Sequence, residues 1–284
     1  RNVAVGYQAL KNQNVGGIAY NTAVGHNTGA EITTGVYNTM LGSLAGDGLT
    51  LGQHNAALGY NALSATNAGN KSVAIGSGAL SAQQPSFTVG GASYAASGDA
   101  TITHTANTNI VVGQVVTSSA AGIPSGATVL SVTDSTHFEL SANTTSSQSG
   151  QTLTFTGGVD ANNTAVGYLA GNAITTALRN SLLGANAGDS ITTGSDNTYI
   201  GYSAGATNSS ANSNTAVGRS ALANNLNSDR NTAVGYFALG NMSSSGSVDA
   251  YNTAVGYNAG VSVTSGVQNT LMGSLAGDAL TTGG

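Results

Sequence analysis

This chain of 284 residues has no cysteine and no tryptophan, and only 6% of its residues are charged. Without cysteine there are no disulfides and no thiolate metal sites, although that alone does not fix the compartment. The net charge of -5 offers no basic surface for nucleic acid. No apolar run is long enough to span a bilayer, so membrane insertion is not expected. Chemistry is sparse as well. A nucleophile elbow, a phosphate-binding loop and a zinc-protease helix are all missing. Glu31 and Glu139 are the only glutamates and the nine aspartates are scattered, so nothing marks the carboxylate pair that glycoside cleavage needs. The expectation is a protein that is not an enzyme, with no cofactor and no tightly held metal.

What is present is glycine, 41 residues of it, with asparagine, serine, threonine and alanine, in strict order. A motif reading N-T-A-V-G-Y-x-A-(L/G) occurs twelve times, mostly 17 residues apart. A fixed period of this length is the signature of a solenoid, in which each repeat is one coil stacked on the next. The first position is Asn2, Asn21, Asn38, Asn55, Asn163, Asn180, Asn197, Asn214, Asn231, Asn252 and Asn269, with Ser72 in the remaining copy. These side chains are expected to form a ladder of amides at a turn, with the asparagine itself tolerating a positive φ. A row of sugar-binding amides is the alternative. The fourth position is always aliphatic: Val5, Val24, Leu41, Leu58, Ile75, Val166, Leu183, Ile200, Val217, Val234, Val255 and Met272. With positions 2, 4 and 6 of a short β-segment on one face, this row is expected to be buried. Gly at position 5 implies a bend or a close backbone neighbour.

Position 9 is Gly or Leu. Where it is Gly, an aliphatic residue usually follows three positions later, as in Gly29 with Ile32 and Gly188 with Ile191. Where it is Leu, as at Leu63, Leu80 and Leu222, the later residue is Thr66, Gln83 or Asn225. One apolar side chain per coil therefore fills a shared volume. Gly205 with Asn208 breaks the rule, which implies a packing defect or a filler from elsewhere. The recurring (I/L)-T-T-G, as at Ile191-Thr192-Thr193-Gly194, reads as a second short β-segment. Such a thin interior needs a further face buried in an oligomer.

The string Ser72-Val73-Ala74-Ile75-Gly76-Ser77-Gly78-Ala79-Leu80 resembles the head repeat of trimeric autotransporter adhesins. The longer pattern is similar to repeats of bacteriophage tail fibres and related bacterial surface proteins. The resemblance covers roughly three-quarters of the chain and implies a left-handed parallel β-roll, assembled as a trimer, outside a cell or on a virion.

Residues 86–158 have a different grammar and divide the repeats into 1–85 and 159–284. β-rich runs at Ala100–His104, Ile110–Val116, Thr128–Val132, His137–Leu140 and Thr152–Phe155, with a turn at Asp134-Ser135-Thr136, predict an inserted β domain. Val112-Gly113-Gln114-Val115-Val116 with Gly122-Ile123-Pro124-Ser125-Gly126 resembles a small module of phage and bacterial surface proteins, which implies a compact sandwich or barrel. Val159-Asp160-Ala161-Asn162-Asn163 matches Val248-Asp249-Ala250-Tyr251-Asn252, so both larger insertions are expected to rejoin the coil at one corner.

Asp47, Asp189 and Asp278 follow the position-9 Gly and read as turn caps. A calcium site between coils is the sharper alternative, although hard cations want several oxygens. His26, His104 and His137 read as isolated residues. Tyr7, Tyr60, Tyr168, Tyr202, Tyr236 and Tyr257 could stack on carbohydrate, or pack on one another or at a subunit contact. The chain opens on Arg1 in mid-motif. The step from Asn269 runs in phase through Gly284 to Asn2, which predicts a segment of a longer chain or subunits stacked end to end. The functional expectation is a structural fibre or filament for attachment or display. Its alternative is a carbohydrate- or receptor-binding adhesin that uses the inserted domain. A polysaccharide-cleaving tailspike is the remote third reading.

Overall fold

Three residues of each repeat are extended, from Val3–Val5 in the first coil to Thr270–Met272 in the last. Each pairs in parallel with the equivalent three residues of the next coil, as Thr198-Tyr199-Ile200 does with Thr215-Ala216-Val217. The result is one twelve-stranded sheet in chain order, the wall of a parallel β-solenoid. In this computed structural model residues 1–65, 69–95, 98–243 and 248–283 are described, and they contain strands, turns and bends but no helix. The inserted segment does not interrupt the stack. Thr164–Val166 follows Val73–Ile75 in register, although about ninety residues separate them in the chain.

The alternation of faces is as expected, but the inward face is the other one. Position 3 points inside: Ala23, Met40, Ala74, Leu182, Tyr199 and Ala254 are all buried. The aliphatic row of position 4 points out. Val5, Val24, Leu41, Leu58, Ile75, Leu183, Ile200 and Met272 are exposed, with Leu58 at 47% and Met272 at 72%, while Val166, Val217, Val234 and Val255 are half-covered. The expected burial of this row within one chain is therefore corrected. The physical reason is the alternation of the strand. The position-1 amides bond inside the turn and share a parity with position 3, so position 3 turns in with them and position 4 turns out.

Gly at position 5 is required twice over. At Gly184 φ is 139°, and an added Cβ would lie 2.5 Å from the carbonyl oxygen of Gly201 in the next coil. Position 9 also has a positive φ, from 47° at Leu239 to 62° at Gly277, which is why Gly alternates with Leu there. The shared volume is real. A Cβ on Gly188 would sit 2.6 Å from Cδ1 of Ile191, and a Cβ on Gly29 would sit 3.0 Å from Cδ1 of Ile32. The exception at Gly205 is filled from position 3. The Tyr199 ring is wholly buried, and a Cβ on Gly205 would lie 2.2 Å from its Cε2. Thr66, paired with Leu63 in this reading, lies outside the described residues.

Two further expectations are corrected. The (I/L)-T-T-G segments are bends rather than strands. They are held by donors that converge on one carbonyl of the next coil, as Thr175 N–H and Thr176 N–H do on Thr192 O and Thr192 N–H and Thr193 N–H do on Ser209 O. The left-handed residue of the turn is not the asparagine but the one before it. Tyr20, Tyr37, His54, Arg179 and Arg230 have φ between 54° and 60°.

The inserted segment forms its own antiparallel six-stranded sheet. Its strands are Ser86–Tyr94, Thr101–Thr103, Val115–Ser118, Val129–Asp134, His137–Leu140 and Gln148–Thr156. The two edge strands of that sheet, Val115–Ser118 and Val129–Asp134, meet through the Val115–Thr128 bridge and the Val129 N–H bond to Gln114 O, so the sheet closes into a small barrel. Phe138, Phe155, Leu153, Ile102 and Leu140 fill it. Ser86–Tyr94 is a strand that the sequence did not reveal, and Ile110–Gln114 is loop rather than strand. Both larger insertions rejoin at equivalent coil positions: Asp160 pairs with Asn70 as Asp249 pairs with Asp229. Leu51, where other coils carry Thr34 or Thr193, is buried with its Cδ2 facing Gly113 of the barrel. That single exchange of threonine for leucine gives the barrel an apolar seat on the rod.

Candidate functional site

Three features run along the coils, and a fourth is confined to the barrel. The first is the asparagine column. In most coils the side chain closes its own coil and bonds to the next. In Asn180, Nδ2–H donates to the carbonyl of Gly194, 14 residues on, while Oδ1 accepts the backbone N–H of Asn197 at 3.0 Å. The same pair of bonds recurs at Asn38, with Gly52 O and Asn55 N–H, and at Asn197, with Ala211 O and Asn214 N–H. Asn21, Asn38, Asn163, Asn180, Asn197, Asn214, Asn231 and Asn252 are buried, so these amides are not presented to an external sugar. Ser72 is too short to serve the coil after it. Gln83 bridges the gap, accepting from Asn163 Nδ2 at 2.9 Å and donating to Ser72 Oγ at 2.9 Å. In a coil with Leu at position 9, Met242 plays a weaker version of this part, its sulfur 3.7 Å from Asn252 Nδ2. Asn180→Ala is expected to cost about 2–4 kcal/mol, because a buried N–H and a buried carbonyl lose their partners. Chemical denaturation of the variant measures this, and a loss below about 0.5 kcal/mol would contradict it.

A second column, immediately before the turn, was not legible from the motif. Oδ1 of Asn212 accepts from Ser195 N–H, and Oδ1 of Asp229 accepts from Asn212 N–H. On the adjoining exposed edge, ion pairs link successive coils: Lys71 with Asp160, Arg179 with Asp196 at 2.6 Å, and Arg230 with Asp249. The Arg179 guanidinium holds the Asp196 carboxyl below its usual range. These pairs are exposed, and each adds little to stability.

The third feature is the outer face. Beside the aliphatic row lie aromatic stacks that use one another as partners. Tyr7 stacks on His26 with centroids 5.4 Å apart, and Tyr236 on Tyr257 at 5.3 Å. Arg219 lies between Tyr202 and Tyr236. Along the turn edge, Tyr20, Tyr37 and His54 form a continuous stack. Ring faces occupied in this way are not free to lie on sugar rings. At the position of Tyr60 and Tyr168 the adjoining coils carry Ser43, Ser77 and Ala185 rather than a ring. Between Leu41, Leu58 and Ile75 the outer sheet has a wholly apolar hollow, opened by Ala56 standing where most coils carry Thr.

The titratable groups do not converge. Among the described residues, no three of His, Asp and Glu lie close enough to hold a metal. Burial raises the carboxyls of Asp47 and Asp189, and one oxygen of each is buried without a protein partner. Glu31 is the only other charge acting on Asp47, and it repels. His104 is buried against Phe138, with Nδ1 on the Thr105 carbonyl, and His137 lies beside Asp134 at an exposed hairpin.

The barrel carries concave ground with a mixed polar and apolar lining. A cleft of 390 Å³ opens at its foot between Phe87, Asn109, Val111 and the returning chain at Val159 and Asp160. A second of 370 Å³ adjoins it across Thr108 and Asn109 and reaches Ser135. Comparison of this chain with protein-family models, with curated proteins and with solved structures gives no match.

Proposed function

We propose that this protein is a structural rod for attachment or surface display, which assembles with copies of itself through the outer face of its sheet. The exposed aliphatic row is the observation that carries the reading. Twelve aliphatic side chains in line on a regular sheet make an apolar strip far longer than a monomer ordinarily leaves in water. Its partner must repeat at the same rise, about 4.8 Å per strand. An identical chain set parallel and in register meets that demand along the whole length. The sizes along the row also vary, with Leu41, Leu58 and Ile75 bulky and Val217, Val234 and Val255 small, so only one register matches like with like. A trimer, as in the adhesins and fibres that the repeats resemble, covers the row on every copy. An extracellular, cell-surface or virion location belongs to the same proposal.

The double variant Leu41→Asp/Leu58→Asp tests the assembly. The interior is untouched, so the coils are expected to keep their β-sheet circular dichroism while the complex falls to single chains in sedimentation. An assembly of unchanged mass would refute this face as the interface.

A second reading places recognition of a host-surface glycan or receptor on the barrel. The clefts favour it, since those described above combine polar and apolar groups at the barrel and its junction, whereas the hollow on the rod is apolar.

A further inference from the structure

We propose that the cleft at the foot of the barrel binds a neutral saccharide, an inference that rests on the barrel being a binding module. Phe87 supplies the platform. One face of its ring is stacked on the buried Phe155, with centroids 5.2 Å apart and planes 12° apart, and the half-buried ring also forms a wall of the cleft. A ring fixed in this way loses no freedom when the apolar C–H face of a sugar settles against it. Hydrogen-bonding groups surround it. The side chains of Thr108 and Asn109 are exposed, and the Asn109 backbone is held by Asn107 and Gln114, which leaves its amide free to turn to a ligand. Asp160 is held in place by Lys71 and Asn70, and its carboxylate keeps acceptor capacity beyond those two bonds. An aromatic wall, an amide, a hydroxyl and a carboxylate match vicinal sugar hydroxyls better than they match an apolar ligand.

Charge decides which saccharides fit. The lining residues of the cleft include no lysine or arginine, and Lys71 beside it is already paired with Asp160. The described cleft residues therefore offer a carboxylate and no unpaired cation, so sialic acids and uronic acids are disfavoured. Because the second cleft continues across Thr108 and Asn109, the occupant is an oligosaccharide rather than a single ring.

The test uses the full chain. It is labelled and applied to an array of neutral, sialylated and uronate-containing glycans, and the strongest neutral oligosaccharide is then titrated by calorimetry. Asn109→Ala is expected to weaken binding by about tenfold, the effect of one lost hydrogen bond, and Thr108→Trp to abolish it by filling the cleft. Both side chains are exposed, and unchanged thermal unfolding of the variants shows that the barrel is intact. Hydrogen exchange with the neutral oligosaccharide bound is expected to protect residues 106–111 and 156–160. Neutral-glycan binding that both variants retain would overturn the cleft. Protection elsewhere on the barrel would then leave the binding-module reading standing, and protection confined to the coils would remove that too. Binding of acidic glycans alone, or of none, would overturn the proposal.

Discussion

Gly184→Val is expected to leave no folded rod at ambient temperature. The residue sits at φ 139°, a region that β-branched side chains do not enter, and its Cβ would lie 2.5 Å from one backbone atom of Gly201 and 2.6 Å from another. Backbone strain and overpacking together come to about 5 kcal/mol or more, comparable with the whole stability of many domains. The clash cannot be relieved by a rotamer, because both atoms belong to the next coil's main chain. Ala185→Tyr is the control. It changes the following residue to the tyrosine that other coils carry at the same outward position, and it is expected to fold. Circular dichroism of the two variants checks the pair, and a folded Gly184→Val with wild-type melting would contradict the packing described here.

Tyr199→Ala is expected to cost about 4 kcal/mol, the usual penalty for removing a buried aromatic ring. The more informative experiment adds Gly205→Leu. The next coil combines Ala216, Leu222 and Asn225 at the equivalent positions, all buried. The double variant Tyr199→Ala/Gly205→Leu, with the native Asn208, would reproduce that same combination of alanine, leucine and asparagine. Most of the lost stability is therefore expected to return, although Gly205→Leu alone should destabilise by collision with the tyrosine ring. Additive losses in denaturation of the three variants would show that the two positions do not share one volume.

The same residues show what the sequence could and could not reveal. The period of 17 and the aliphatic exchange between positions 9 and 12 gave the coil and its shared cavity, because both are local packing rules repeated many times. The facing of the strand was misread because an aliphatic row ordinarily marks a core. The contrary signal was present. Asn at position 1 and the residue at position 3, most often Ala, share a parity, so a buried amide column carries position 3 inward with it. Tyr199 shows the same limit. Its filling role needs the knowledge that position 3 points inward, and without it the tyrosine reads as a surface residue. Gln83 was legible as the polar partner of Leu80, but its bridge across Ser72 joins residues 11 and 80 apart in sequence and depends on the inserted segment returning in register. The strand Ser86–Tyr94 was missed because its glycines at Gly90 and Gly91 interrupt the alternation at an irregularity in its pairing with Gln148–Thr156. The clefts were invisible for a simpler reason: Phe87, Asn109 and Asp160 meet only after the barrel closes.

How the rod assembles depends on what covers the outward row of Val5 to Met272. Light scattering coupled to size exclusion measures this directly on the unmodified chain. Assembly through that face predicts a mass several times that of one chain, three times for the trimer, held across dilution into the low micromolar range. A single chain mass, with the row left in water and no self-association at any concentration tested, would contradict it.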